Sequence, residues 1–217
     1  MDIQPIQYTD LSYQAYAKIR EMILSGELEP GEKIPQEKIA SMLGVSRMPL
    51  HKAFQMLEDE FLVESIPRRG IFVKKTDLVA IMEAFECREG LEGIAARRAA
   101  QWMTDEQLYF LKSLFHPFKD LDNIDENKYQ TADHTFHETI IKYSGNSVLQ
   151  KLNNMGSILI RTYPKGIILP LKESMQDHLL IIKAFTDRSP GKAEELIRLH
   201  SRKARNIIEN QIKQQQK

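Results

Sequence analysis

The sequence predicts a mainly α-helical chain in two parts: a winged helix-turn-helix of three helices and a β-hairpin, then an all-α antiparallel bundle. Three observations carry this reading. Residues 37–60, EKIASMLGVSRMPLHKAFQMLEDE, read as two short helices about a corner at Gly44. Two strand-like runs follow, Leu62–Ser65 and Gly70–Val73, around the tip Pro67-Arg68-Arg69-Gly70. From Thr76 onward apolar residues recur at three and four, with no convincing strand. The predicted boundaries are 1–75 and 76–217.

Taken in order, Leu11 to Ser25 is the first helix, with Tyr16, Ile19, Ile23 and Leu24 at helical spacing and Gly26 as its stop. Glu29-Pro30-Gly31-Glu32 is a turn. Ile39, Ala40 and Leu43 form one apolar face of the helix-turn-helix, Ala53, Phe54 and Leu57 the other, and Val45 plugs the space between. Ser46 is suited to cap the second of these helices. Pro49 falls in its first turn, where a missing N–H costs little. The N-terminal residues of such a helix face a major groove, and the basic hairpin tip suits a phosphate or the minor groove.

In the second part, Asp77 to Met103 is a long helix with Ile81, Ala84, Phe85, Leu91 and Ala95 on one side. Thr104-Asp105-Glu106-Gln107 has the capping-box pattern for a helix running to about Phe118. Another spans roughly Asp125 to Tyr143, closed by Gly145. Asn146 caps its successor, which continues to about Tyr163, where Pro164-Lys165-Gly166 breaks the chain. Leu171 to Thr186 and Pro190 to about Ile212 are the last two, the latter entered by Ser189 as cap. The terminal QIKQQQK is expected to fray.

Bulk properties bound the function. Thirty Lys and Arg balance thirty Asp and Glu, so any nucleic-acid affinity must come from local patches such as Arg68, Arg69, Lys74 and Lys75. No apolar run is long enough to span a bilayer, and Met1 to Asp10 is too polar for a signal peptide. A single cysteine, Cys87, fits a reducing cytoplasm and reads as a small buried hydrophobe. The expected partners therefore exclude a membrane.

The segment GELEPGEKIPQEKIASMLGVSRMPLHKAFQMLEDEFLVESIPRRGIFV resembles the winged-helix domain of GntR-family transcriptional regulators. The C-terminal half resembles the FCD ligand-binding domain of the FadR-type branch. GELEPG, LGVSR-x-P and RRGIFV together are specific. The resemblance implies a homodimer on double-stranded operator DNA, most often a repressor, whose affinity changes when a small molecule binds the helical domain. It places Ser46, Arg47, Met48, His51, Lys52, Arg68, Arg69 and Gly70 at the DNA. Met48 stands where the family usually has Thr. Pro49-Leu50-His51-Lys52-Ala53-Phe54 replaces a stretch that usually supplies a second Arg. A lost bidentate base contact is worth about 1–3 kcal/mol.

Four residues of the second part form a candidate metal set. Asp133 and His137 are four apart, so their side chains stack one turn above the other, about 5–6 Å between Cβ atoms. Both lie with Phe136, Ile140 and Ile141 on an apolar stripe. His178 lies between Met175 and Ile182, and His200 between Leu196 and Ile207. A carboxylate and three imidazoles facing one core are costly unless paired, and a divalent ion pairs them. One ion per chain is expected: zinc first, nickel or iron as alternatives. The resemblance implies the same four ligands. His116 and His134 read as ordinary surface or packing residues.

Arg88 and Arg161 are candidates for holding an effector, since a metal and a guanidinium together grip a small carboxylate. Arg88 equally suits an i,i+4 ion pair with Glu92; for Arg161, a helix-end surface charge is the plainer reading. The resemblance implies small organic acids as effectors. The expectation is a cytoplasmic regulator and not an enzyme. The alternatives are a regulator for which the ion itself is the signal, and a metal-dependent hydrolase.

Overall fold

The computed structural model describes residues 10–75, 77–118, 124–161 and 168–216, the side chain of Met155 excepted. The described chain divides into two compact units, Met1–Lys75 and Thr76–Lys217.

In the first unit, α1 (Leu11–Leu24) starts where the Asp10 carboxylate accepts from the N–H groups of Ser12 and Tyr13. Its buried stripe is Ser12, Ala15, Ile19 and Met22. Ile23 and Leu24 are only half-buried, so the inward face lies about one residue from the expected one. The α2 helix (Gln36–Leu43) ends at Gly44, whose φ of 64° is the left-handed conformation that turns the chain toward α3 (Arg47–Asp59). Leu50, Ala53, Phe54 and Leu57 of α3 are buried, and α1 packs on α3. Val45 is half-buried. Ser46 is extended, yet its hydroxyl makes no capping bond. Of the two donors it could serve, the one at N3 is missing, because Pro49 has no N–H.

Strands β1 (Val63–Ile66) and β2 (Gly70–Val73) pair antiparallel, Val63 opposite Val73 and Ile66 opposite Gly70. The first lies one residue later than the sequence suggested. Arg69 N–H donates to Ile66 O at 3.0 Å, and Arg68 adopts φ 63° behind Pro67, the dihedral pattern of a type II turn. A bridge between Lys33 and Phe72 extends the pairing to the stretch before α2. The periodicity of the sequence did not signal this edge.

The second unit is all helical among its described residues. Its helices are α4 (Leu78–Trp102), α5 (Asp105–Phe115), α6 (Glu126–Tyr143), α7 (Ser147–Arg161), α8 (Leu171–Thr186) and α9 (Pro190–Gln215). Thr104 and Gln107 form the expected capping box. Asp125 caps α6, and the Asn146 side chain accepts from Val148 and Leu149 N–H at the head of α7. Residues 116–118, expected to continue α5, form a separate 3-10 turn instead. Ser189 makes no capping bond to α9. The C-terminal residues expected to fray stay helical to Gln215, as strong helix formers with a Lys213–Glu209 pair one turn apart allow. The break expected at Pro164-Lys165-Gly166 lies outside the described residues.

The α4 helix is the axle of this unit, packing along α9 and also against α6, α7 and α8. Its buried face runs Ile81, Ala84, Phe85, Arg88, Glu92, Ala95, Ala96, Ala99. Small residues let a neighbour approach: a Cβ at Gly93 would sit 2.4 Å from Arg198 Nε of α9. Cys87 is exposed, contrary to expectation. It precedes Arg88 by one residue, about 100° around the helix from the inward stripe.

Candidate functional site

In the second unit, α6 supplies Asp133 and His137, α8 supplies His178 and α9 supplies His200. One potential ligand atom from each lies within 4.8 Å of the others. His137 Nε2 and His178 Nε2 are 3.4 Å apart. Asp133 Oδ1 is 3.4 Å from His178 Nε2 and 3.9 Å from His137 Nε2. First-row ions bind nitrogen at about 2.0–2.1 Å. Tetrahedrally arranged donors at that radius stand about 3.4 Å from one another.

The three imidazoles are fixed from behind, each by a different partner. His137 Nδ1 lies 2.7 Å from Glu92 Oε2, and His200 Nδ1 lies 3.2 Å from Asp177 Oδ2. Carboxylates accept, so these partners assign the proton to Nδ1. His178 Nδ1 lies 3.1 Å from the Tyr129 hydroxyl, which itself donates to Ser174 Oγ at 3.0 Å. With its hydrogen spent on Ser174, the Tyr129 oxygen accepts from His178. All three Nε2 atoms are then left with a lone pair, and those of His137 and His178 meet head on. Two facing lone pairs repel unless a cation stands between them. The donor set therefore fits a divalent ion, and the supporting bonds are of the kind that orient metal-bound histidines.

Burial sets the protonation of this cluster. His137 and His178 are pushed well below the ordinary imidazole range by burial first and by the charge of Arg88 in addition. Burial raises Asp133 and Glu92, against the opposing pull of Arg88 on both. Burial also pushes the Tyr129 hydroxyl up, which keeps it protonated. For Asp177, burial is outweighed by hydrogen bonds from His200 and Lys203, which leave it below its ordinary value.

Beside the cluster is a small cavity of about 30 Å³ whose wall includes Arg88, Asp133, His134, Ser174 and His200, with Phe85, Ile160 and Leu169 on its apolar side. The ion pair expected of Arg88 is present. Its Nε donates to Glu92 Oε1 at 2.7 Å, and its side chain still borders the cavity. His134, expected to be an ordinary residue, is part of that wall. Burial, then the charges of Arg88 and Arg161, hold it near a pKa of about 4, so it is neutral at pH 7. Arg161 is half-buried and is not among the described residues that border the cavity. On α7 the buried positions include Asn153 and Ile158, while Asn154 is exposed. His116 is exposed.

In the first unit, Ser46, Arg47, Met48, His51 and Lys52 are all exposed at the start of α3. Met48 is 83% exposed. Arg47 meets Glu37 at 3.4 Å, but both side chains are about 90% exposed, and such pairs contribute little. At the hairpin, Arg68 and Arg69 are exposed, and Arg69 lies over the Phe72 ring at 5.4 Å. Gly70 has φ 109°, which only glycine adopts without strain. Sequence reasoning missed Glu92 as a histidine partner, along with Tyr129, Asp177 and His134. Only the i,i+4 spacing of Arg88 and Glu92 was a usable signal; the rest depend on how the helices meet.

Residues 11–73 match the family described as bacterial regulatory proteins of the gntR family, and residues 83–203 match the FCD domain. Among curated proteins, the chain is 24% identical over 214 residues to the HTH-type transcriptional repressor RspR of Escherichia coli, covering 94% of this chain and 91% of that protein. It is 27% identical over 183 residues to the Nta operon transcriptional regulator of Aminobacter aminovorans, covering 84% and 87%. It spans 63% of the length of the Bacillus subtilis regulator YdhC at 28% identity, and 36% of an HTH-type regulator of Mycobacterium tuberculosis at 38%. Among solved structures, Escherichia coli McbR/YncC matches with a TM-score of 0.76 at 19% identity, over 93% of this chain and 98% of that one. A GntR regulator from Rhodococcus matches with a TM-score of 0.76 at 20% identity, over 93% and 99%. At these identities the structural likeness speaks for the fold.

Proposed function

Because the chain belongs to the gntR family of bacterial regulatory proteins and carries an FCD domain, we propose that it is a transcription regulator whose DNA binding is controlled by a small carboxylate held at a metal ion. In this reading residues 1–75 bind DNA through Ser46, Arg47, Met48, His51 and Lys52 of the α3 end and Arg68, Arg69 and Gly70 of the hairpin. Residues 76–217 bind the effector and form a cytoplasmic homodimer, which sets two α3 helices on a palindromic operator, most simply as a repressor. The ion is one zinc per chain, held by Asp133, His137, His178 and His200, with nickel or iron as substitutes. Arg88 meets the acid at the cavity, with Arg161 behind it acting at longer range.

The observation that carries the metal reading is the set of three Nδ1 partners, Glu92, Tyr129 and Asp177, which leaves three Nε2 lone pairs turned toward Asp133. The arginine beside it supports an anionic ligand, and the cavity is small enough to suit one of few atoms. The small volume also favours a second reading, in which the ion alone is the signal and no acid is needed. A hydrolase has less support: among the described residues lining the cavity Asp133 is the one carboxylate, and a ligand to the ion is not free to act as general base.

The test is the metal content of the purified protein together with Asp133→Ala. One zinc per chain in the wild type and loss of at least nine-tenths of it in the variant are expected. A chain that binds no divalent ion, or a variant that binds it as well, contradicts the metal reading.

A further inference from the structure

We propose that Glu92 is a positioning residue that ties the metal ligand His137 to the cavity arginine Arg88, so that ion and anion are held cooperatively through one carboxylate. The inference rests on the metal reading above and adds a residue and a coupling to it. Glu92 is fully buried on α4. Its Oε2 accepts from His137 Nδ1 at 2.7 Å, and its Oε1 accepts from Arg88 Nε at 2.7 Å. Both distances are those of charge-assisted bonds.

The other two histidine supports differ. Asp177 holds His200, but its second partner, Lys203, is not among the described residues lining the cavity. Tyr129 holds His178, and its second partner is the neutral Ser174. Among the described residues, Glu92 alone joins a candidate ligand of the ion to a cation on the cavity wall.

This placement has a direction. A cation at His137 Nε2 draws density from the ring, which makes Nδ1–H a stronger donor to Oε2. An anion drawn to Arg88 takes part of the guanidinium's attraction away from Oε1, leaving more of the carboxylate's charge for His137. Each ligand then favours the other, and linkage makes the favour mutual. Glu92 also fixes the His137 tautomer, without which Nε2 would carry the proton and could not bind an ion.

The experiment uses the full chain, stripped of metal, as wild type and Glu92→Gln. Zinc affinity is measured against a chromophoric chelator, with and without acetate as the probe anion. We expect zinc affinity to fall about ten- to hundredfold in E92Q, and acetate to tighten zinc binding in the wild type but not in E92Q. A purely structural role would lower the melting temperature and leave the zinc affinity of the folded chain within twofold, which overturns the proposal. Wild-type zinc affinity that ignores acetate, or responds to it equally in E92Q, overturns the coupling. If E92Q does not fold, nitrogen NMR of the imidazoles in the zinc-loaded wild type decides. His137 must carry its proton on Nδ1 and coordinate through Nε2; coordination through Nδ1 overturns the proposal. A wild type that binds no zinc at all fails the metal reading itself, a result distinct from a zinc-binding wild type matched by E92Q.

Discussion

His134 illustrates how a single side chain on the cavity wall sets a measurable property. Burial and two nearby guanidiniums hold it near a pKa of about 4, against an ordinary value of 6.5. The unfolded chain therefore takes up this proton near pH 6.5, while the folded chain refuses it until about pH 4. A depressed imidazole value contributes stability above the unfolded pKa and loses it as pH falls through that window. For metal-free protein taken from pH 7 to pH 5, the His134 share of the loss is on the order of 1 kcal/mol, allowing for its partial exposure. Chemical denaturation of wild type and His134→Gln at both pH values checks this, and the pH dependence is expected to shrink in the variant. An unchanged pH dependence would mean that His134 is solvated. The four candidate ligands were legible because Asp133 and His137 repeat at helical spacing and His178 and His200 each sit on an apolar stripe. Glu92, Asp177 and Tyr129 were not, because their partners are 45, 23 and 49 residues away in sequence and no local pattern encodes such contacts.

Two elements, α3 and α4, carry the most specific expectations. On α4, a Cβ at Gly90 would meet nothing within 4 Å, whereas one at Gly93 would collide with Arg198. Gly90→Ala should stabilise the chain by about 0.5–1 kcal/mol through helix propensity and lost freedom of the unfolded chain. Gly93→Ala should destabilise it by about 1–3 kcal/mol, because Arg198 must leave the Glu89 carbonyl and Glu194 to make room. Thermal melts of the two variants with opposite signs are the expected outcome; equal shifts would contradict the α4–α9 packing. On α3, Arg47→Ala should weaken binding to a selected duplex by about 1–3 kcal/mol and relax the preference at one base position. Lys52→Ala should weaken binding to all sequences alike and reduce the salt slope by about 1. Binding titrations at several salt concentrations separate the two. The α3 core face was readable from Ala53, Phe54 and Leu57, but its cap was not: Ser46 has the right chemistry, yet Pro49 takes away the N3 donor and no capping bond forms.

For the molecule as a whole, the two parts differ in how openly the sequence states them. The helix-turn-helix and hairpin follow from local signals, namely Gly44, Pro67 and a change from helical to alternating spacing. The helical unit follows from periodicity together with cap and stop signals such as Thr104–Gln107 and Gly145, and its pairing of α4 with α9 is beyond any local signal, since Arg198 and Glu89 are 109 residues apart. In the proposed function, a ligand at the candidate metal site of the second unit controls DNA binding by the first. The most direct measurement is the affinity of zinc-loaded protein for a duplex enriched from random fragments, across a panel of small carboxylic acids, for wild type and Asp133→Ala. The expected result is an inverted repeat and at least one acid that shifts wild-type affinity by about 5- to 150-fold, with the shift lost in the variant. An affinity indifferent to every acid and to zinc, or a shift that persists in Asp133→Ala, would contradict it.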